Sequence, residues 1–122
     1  MNIKLKISTS DSFNEKTENI FNGTKIINND TIKYTYNDEF GENKIFLKDN
    51  NIKIFRKGEI NSKLILELNK RTQFTYSNKY MNKLFKILTK KIEILEKELK
   101  IVYSIYDDLE LVNNITIHIK EL

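Results

Sequence analysis

The chain predicts an all-β fold: a single domain spanning residues 1–122, built as an antiparallel up-and-down barrel of eight to ten strands. Three observations carry this. Apolar and polar residues alternate with period two along most of the sequence, as in strands with one buried face. The connections between alternating runs are short, mostly two to seven residues, whereas a parallel crossover needs roughly a dozen or more. Composition favours pleated surfaces, because Ile, Tyr, Phe and Thr are plentiful. Ala, the best helix former, is absent, as are Pro and Trp.

Taken in order, Ile3, Leu5 and Ile7 alternate with Lys4, Lys6 and Ser8 in a first half-buried strand. Thr9 to Lys16 is a polar connector. A second strand over Thr17 to Asn28 has Ile20 and Phe21 side by side and then Gly23, a pattern that predicts a bulge. Asn28-Asn29-Asp30 turns the chain into Ile32, Tyr34 and Tyr36. Asn37 to Asn43 turns again, with Gly41 available for positive φ. Ile45 and Leu47 then share one face, with Phe46 on the other.

Asn50-Asn51 supplies residues suited to a two-residue hairpin. The stretch from Asn51 to Tyr76, NIKIFRKGEINSKLILELNKRTQFTY, repeats the unit. Ile52 and Ile54 form one strand, Lys57-Gly58 a turn, and Leu64, Leu66 and Leu68 the next strand. Asn69-Lys70 turns into Phe74 and Tyr76. Leu84 to Leu99 is ambiguous from pattern alone. Leu84, Ile87, Leu88, Ile92, Leu95 and Leu99 fall at helical spacing, while the alternation resumes at Leu99, Ile101, Tyr103 and Ile105. Tyr106-Asp107-Asp108 is a turn. Leu109 and Leu111 open a last strand, kinked at Asn113-Asn114, whose Ile115, Ile117 and Ile119 face inward.

Composition excludes several function classes. With 122 residues and no cysteine, disulfides, thiolate metal sites and cysteine nucleophiles are ruled out. The N-terminal MNIKLKISTS alternates rather than running apolar, and no stretch offers eighteen consecutive apolar residues. A signal peptide and a transmembrane helix are therefore not expected, and the expected location is cytoplasmic. The net charge of +4 is uneven. Lys53 to Lys100 holds 13 basic and 5 acidic residues, the preceding segment seven and eight, and the last segment one and four. That asymmetry suits an anionic partner.

Arg56 and Gly58 in an Arg-x-Gly turn, Leu64 and Leu66 entering the next strand, then Tyr76, Tyr80 and Thr89, form a pattern that resembles the YwiB-like family of bacterial β-barrels. That family has no assigned function. The resemblance covers nearly the whole chain in strand order and implies a calycin or lipocalin-like barrel. It also implies that the ambiguous Leu84 to Glu96 stretch is a strand. The family pattern has a Gly where this chain has Met81, so the turn after Tyr80 is expected to differ. The resemblance carries no catalytic residues.

Candidate chemistry is sparse. His118 is the one histidine, in phase with outward Thr116 and Lys120, and has no partner for a triad or a metal site. Asp107-Asp108 and Asp38-Glu39 are adjacent carboxylates with turn character. The three glycines form no phosphate-binding loop. No cofactor, metal or catalytic residue is therefore expected, and the chain reads as a non-enzyme.

Arg56 is different, because it follows the inward phase of Ile52 and Ile54. At a barrel mouth it would hold a carboxylate in a fork. Tyr34, Tyr36, Tyr76 and Tyr103 would add hydroxyls. The preferred expectation is binding of a small amphipathic or acidic ligand, with its tail among inward Ile, Leu and Phe side chains. The alternatives are nucleic-acid or other polyanion binding through a basic band centred on Lys83, Lys86, Lys90 and Lys91, or a structural, oligomer-forming barrel with a packed interior.

Overall fold

A computed structural model describes residues 1–122. Ten strands run in sequence: β1 (Asn2–Asp11), β2 (Lys16–Asn28), β3 (Thr31–Asp38), β4 (Gly41–Lys48), β5 (Asn51–Gly58), β6 (Asn61–Glu67), β7 (Arg71–Ser77), β8 (Asn82–Leu95), β9 (Glu98–Asp107) and β10 (Glu110–Glu121). Each pairs antiparallel with its sequence neighbours, and β10 pairs with β1 to close the barrel. Closure removes free sheet edges, which otherwise invite association.

The strand expected over Leu84 to Glu96 is found as β8, which starts two residues earlier and ends at Leu95, so the helical spacing there does not form a helix. The physical reason is pairing. β8 pairs with β7 over Asn82 to Leu88 and with β9 over Lys86 to Leu95, so every part of it has a strand partner on at least one side. A shift of register between Thr89 and Lys91 re-phases its inward residues from Ile87 and Thr89 to Ile92, which is why one alternation does not run through the whole segment.

Several boundaries differ from the sequence expectation. β1 extends to Asp11, so the first connector shrinks to Ser12–Glu15. The bulge expected near Ile20-Phe21 is absent, since the β1–β2 register runs unbroken from Asn2 to Ser10. Phe21 packs on the core and Ile20 simply lies on the outer face, 60% exposed. At the β4–β5 turn the left-handed residue is Asp49, and Asn51 already belongs to β5. The β5–β6 turn is Glu59-Ile60, with Gly58 still paired to Gly41. The last hairpin turns at Asp108-Leu109, leaving Asp107 in β9. The irregularity of β10 falls between Leu111 and Asn113, next to the expected kink.

Thirteen buried hydrophobic residues form one cluster inside the barrel. Leu5, Ile52, Leu66, Ile87 and Ile101 are fully enclosed at its centre. Burying each such side chain contributes roughly 1.5–3 kcal/mol. The turns β1–β2, β3–β4, β5–β6, β7–β8 and β9–β10 gather at one end of the barrel, called the mouth below.

Candidate site at the barrel mouth

The inward alternation of β5 passes from Ile52 and Ile54 to Arg56 as it nears the mouth, and Arg56 does face inward. Its register partners are Asn43 on β4 and Ser62 on β6. Ser62 pairs with Tyr76, and Tyr76 with Lys83. On the other side Asn43 pairs with Tyr36. One row of inward side chains therefore crosses six strands: Tyr36, Asn43, Arg56, Ser62, Tyr76 and Lys83.

The row is held by charge. Arg56 Nε donates to Asn43 Oδ1 at 3.0 Å, and Arg56 Nη2 lies 3.3 Å from Asp38 Oδ2. Asn43 is buried, and its Nδ2 has no hydrogen-bond partner. Lys83 Nζ lies 2.9 Å from Asp107 Oδ2. Burial pushes the Tyr36 hydroxyl up to about 12, with Arg56 lowering and Asp38 raising it. Arg56, Ser62, Tyr76 and Lys83 line an open depression of about 570 Å³ together with Asn61, Lys63, Thr75, Ser77, Asn82 and Leu84, which alternate to the outer face of β6, β7 and β8. None of the buried core residues lines it.

Of the five residues expected to bind a ligand, the structure brings Arg56, Tyr76 and Tyr36 into this row, while Tyr34 bonds Glu121 elsewhere. Tyr103 lies outside it, buried beside Thr89 and Ile115 as their register partner. Burial alone pushes its hydroxyl above the ordinary tyrosine range. The Thr89 hydroxyl is also enclosed and without a partner. Of the basic band, Lys83 points into the mouth, while Lys86, Lys90 and Lys91 are exposed outside, with Lys91 3.3 Å from Glu93. His118 lies on the outer face against Glu98.

Sequence reasoning passed over Asn43 and Ser62 and read Asp38 and Asp107 only as turn carboxylates. Extending each alternation through the turn finds all four. Asn43 precedes Ile45 in phase, Ser62 precedes Leu64, Asp38 follows Tyr36, and Asp107 follows Ile105. A second polar cluster lies toward the opposite end. Lys25 Nζ lies 2.8 Å from Glu121 Oε2, which also accepts from the Tyr34 hydroxyl at 2.8 Å. It ties the C-terminal end of β10 to β2 and β3, across the intervening β1. No three His, Asp or Glu side chains are grouped to hold a metal ion, and no helix is long and apolar enough to cross a membrane.

Fold and site together define a small, closed, ten-stranded antiparallel barrel with a buried apolar cluster inside and a charged mouth. The chain belongs to the DUF1934 family, described as a domain of unknown function, whose model matches residues 1–119. Among solved structures it is similar to the crystal structure of the ywiB protein from Bacillus subtilis, with a TM-score of 0.81 and 16% sequence identity. That similarity covers 99% of this chain and 92% of that one, and at this identity it speaks for the fold. No functionally curated protein matches the chain.

Proposed function

We propose that this barrel is a binding module whose mouth holds a small acidic molecule. The observation that carries the reading is the inward Arg56, fixed by Asn43 and Asp38 at the barrel mouth beside an open depression. A guanidinium has five donors in a planar fork. Arg56 commits its Nε and one Nη2 contact to the protein, leaving donors for a carboxylate. Tyr76, Ser62 and Lys83 add further donors around the same depression. The pocket volume lies within the roughly 300–1,000 Å³ of small-molecule sites.

The filled core argues against a long apolar tail, so a compact acid fits better than an amphipathic one. Asp38 and Asp107 each neutralise a cation of the mouth, an arrangement suited to holding a ligand rather than to proton transfer. The cysteine-free composition suits a cytoplasmic setting.

A thermal-shift screen of small mono- and dicarboxylates and phosphorylated acids tests this. A ligand that binds the folded state raises the melting temperature by mass action. The expected result is a stabilising acid whose shift is lost in Arg56→Gln and reduced in Tyr76→Phe. No stabilisation across the panel at millimolar concentration, or a shift that survives Arg56→Gln, would overturn the proposal and favour a structural barrel.

A further inference from the structure

The outer face of β3 to β6 carries a feature that the mouth does not use. Inward Ile, Leu and Tyr residues on these strands force their alternate residues outward. Those residues are Lys33 on β3, Lys44, Phe46 and Lys48 on β4, Lys53 and Phe55 on β5, and Lys63 on β6. Register aligns them in two rows. Lys33, Phe46 and Lys53 lie side by side, and so do Lys44, Phe55 and Lys63. Each row thus places one aromatic ring between two lysines.

The two rings are diagonal neighbours, with centroids 5.6 Å apart and planes at 85°. Lys33 Nζ stands 5.7 Å from the Phe46 ring, and Lys63 Nζ 5.7 Å from the Phe55 ring. Thr31, Lys48, Asn51 and Lys53 surround the rings in an open depression of about 390 Å³. A second depression, of about 860 Å³, adjoins it and runs past Lys33 and Lys48 to the β2–β3 turn. Glu42 and Glu67 are the carboxylates among the outward positions of β4 to β6, Glu42 is paired with Lys44 at 3.4 Å, and Asp30 lines the second depression at the β2–β3 turn.

We propose that this face binds single-stranded nucleic acid, stacking bases on Phe46 and Phe55 while Lys33, Lys48, Lys53 and Lys63 contact phosphates. Phe46 and Phe55 are only half-buried, so part of each ring stays open to solvent and to a stacking partner. A stacked base covers a ring that the lysines now cover only with their ammonium groups. The freed ammonium groups then meet the backbone. Rings on adjacent strands, offset by two residues, suit unstacked bases splayed along an extended strand. Single-strand binding proteins use the same combination of a basic track and aromatic platforms. A duplex keeps its bases stacked inside and gains nothing from the rings.

The test is fluorescence anisotropy with labelled fifteen-nucleotide single-stranded RNA and DNA, the same DNA as a duplex, and inorganic polyphosphate. The protein should bind both single strands at low salt, with affinity falling steeply as salt rises. Duplex and polyphosphate should bind at least tenfold more weakly. Phe46→Leu with Phe55→Leu keeps apolar bulk and removes the π faces, and should weaken single-strand binding at least tenfold without lowering the melting temperature by more than a few degrees. Lys33→Glu with Lys53→Glu should abolish binding, while Lys86→Glu with Lys90→Glu, on β8, should leave it unchanged. No binding of either single strand at low salt would overturn the proposal. So would polyphosphate or duplex binding as tight as single-strand binding, or affinity unaffected by the leucine pair. Loss confined to the Lys86 and Lys90 variant would move any nucleic-acid site to the other face and overturn this one.

Discussion

Arg56 Nε donates to Asn43 Oδ1 at 3.0 Å, from neighbouring positions on β5 and β4. Asn43 is 1% exposed, so the bond lies at the base of the mouth, where water does not compete for it. It orients the guanidinium toward Asp38 and the pocket. Asn43→Ala removes that acceptor and leaves Arg56 Nε without it. The expected cost is about 1–3 kcal/mol, read as a lower urea midpoint with an unchanged slope. Any acid that stabilises the wild type should also bind this variant more weakly. Unaltered stability together with unaltered acid binding would show that Asn43 does not position Arg56.

The mouth also depends on two facing glycines. Gly41 and Gly58 are register partners with φ of +142° and +155°, a region that other residues rarely adopt. A Cβ on Gly41 would stand 2.2 Å from the Lys57 carbonyl oxygen, and one on Gly58 2.2 Å from the Phe40 carbonyl oxygen. These are backbone obstacles that cannot swing aside. Gly41→Ala and Gly58→Ala should each destabilise by about 2 kcal/mol or more, from strain and steric displacement together. They should also disturb Asp38 and Arg56, which enter and leave the same pair of turns. A loss below about 0.5 kcal/mol in denaturant unfolding would mean that the two turns relax apart freely.

Alkaline pH should find the buried tyrosines. Burial raises Tyr36 to about 12, and burial with the neighbouring Glu121 carboxylate raises Tyr34 above the ordinary range, as burial alone does for Tyr103. The folded state therefore keeps these hydroxyls protonated while the unfolded chain ionises near its ordinary value of about 10. Above that pH the unfolded state binds fewer protons, so stability falls as pH rises. The contribution of Tyr36 is full below about 10 and is lost progressively up to about 12. Urea midpoints should drop between about pH 10 and pH 12 in the wild type, and drop less in Tyr36→Phe. Equal drops in both proteins would show that Tyr36 ionises normally in the fold.

Much of this molecule was legible in the chain. Alternation assigned the inward faces of Tyr34 and Tyr36, of Ile45 and Leu47, and of Leu64 and Leu66. It did so because the pleat fixes side-chain direction at every second residue, whatever the partner. Short connections then required antiparallel neighbours. The same logic turned Arg56 inward before any contact was known.

Other features were decided by the tertiary structure. The β8 segment carries two periodicities at once, and its pairing with β7 and β9 chose between them. The choice of Asp38 and Asp107 as partners for Arg56 and Lys83 required strands to be brought together in a particular register. So did the alignment of Phe46 with Lys33 and Lys53, on three different strands. A single sequence states which face each residue takes along its own strand. Which side chains then meet across strands depends on register and closure, and those are set by the energy of the whole packed barrel.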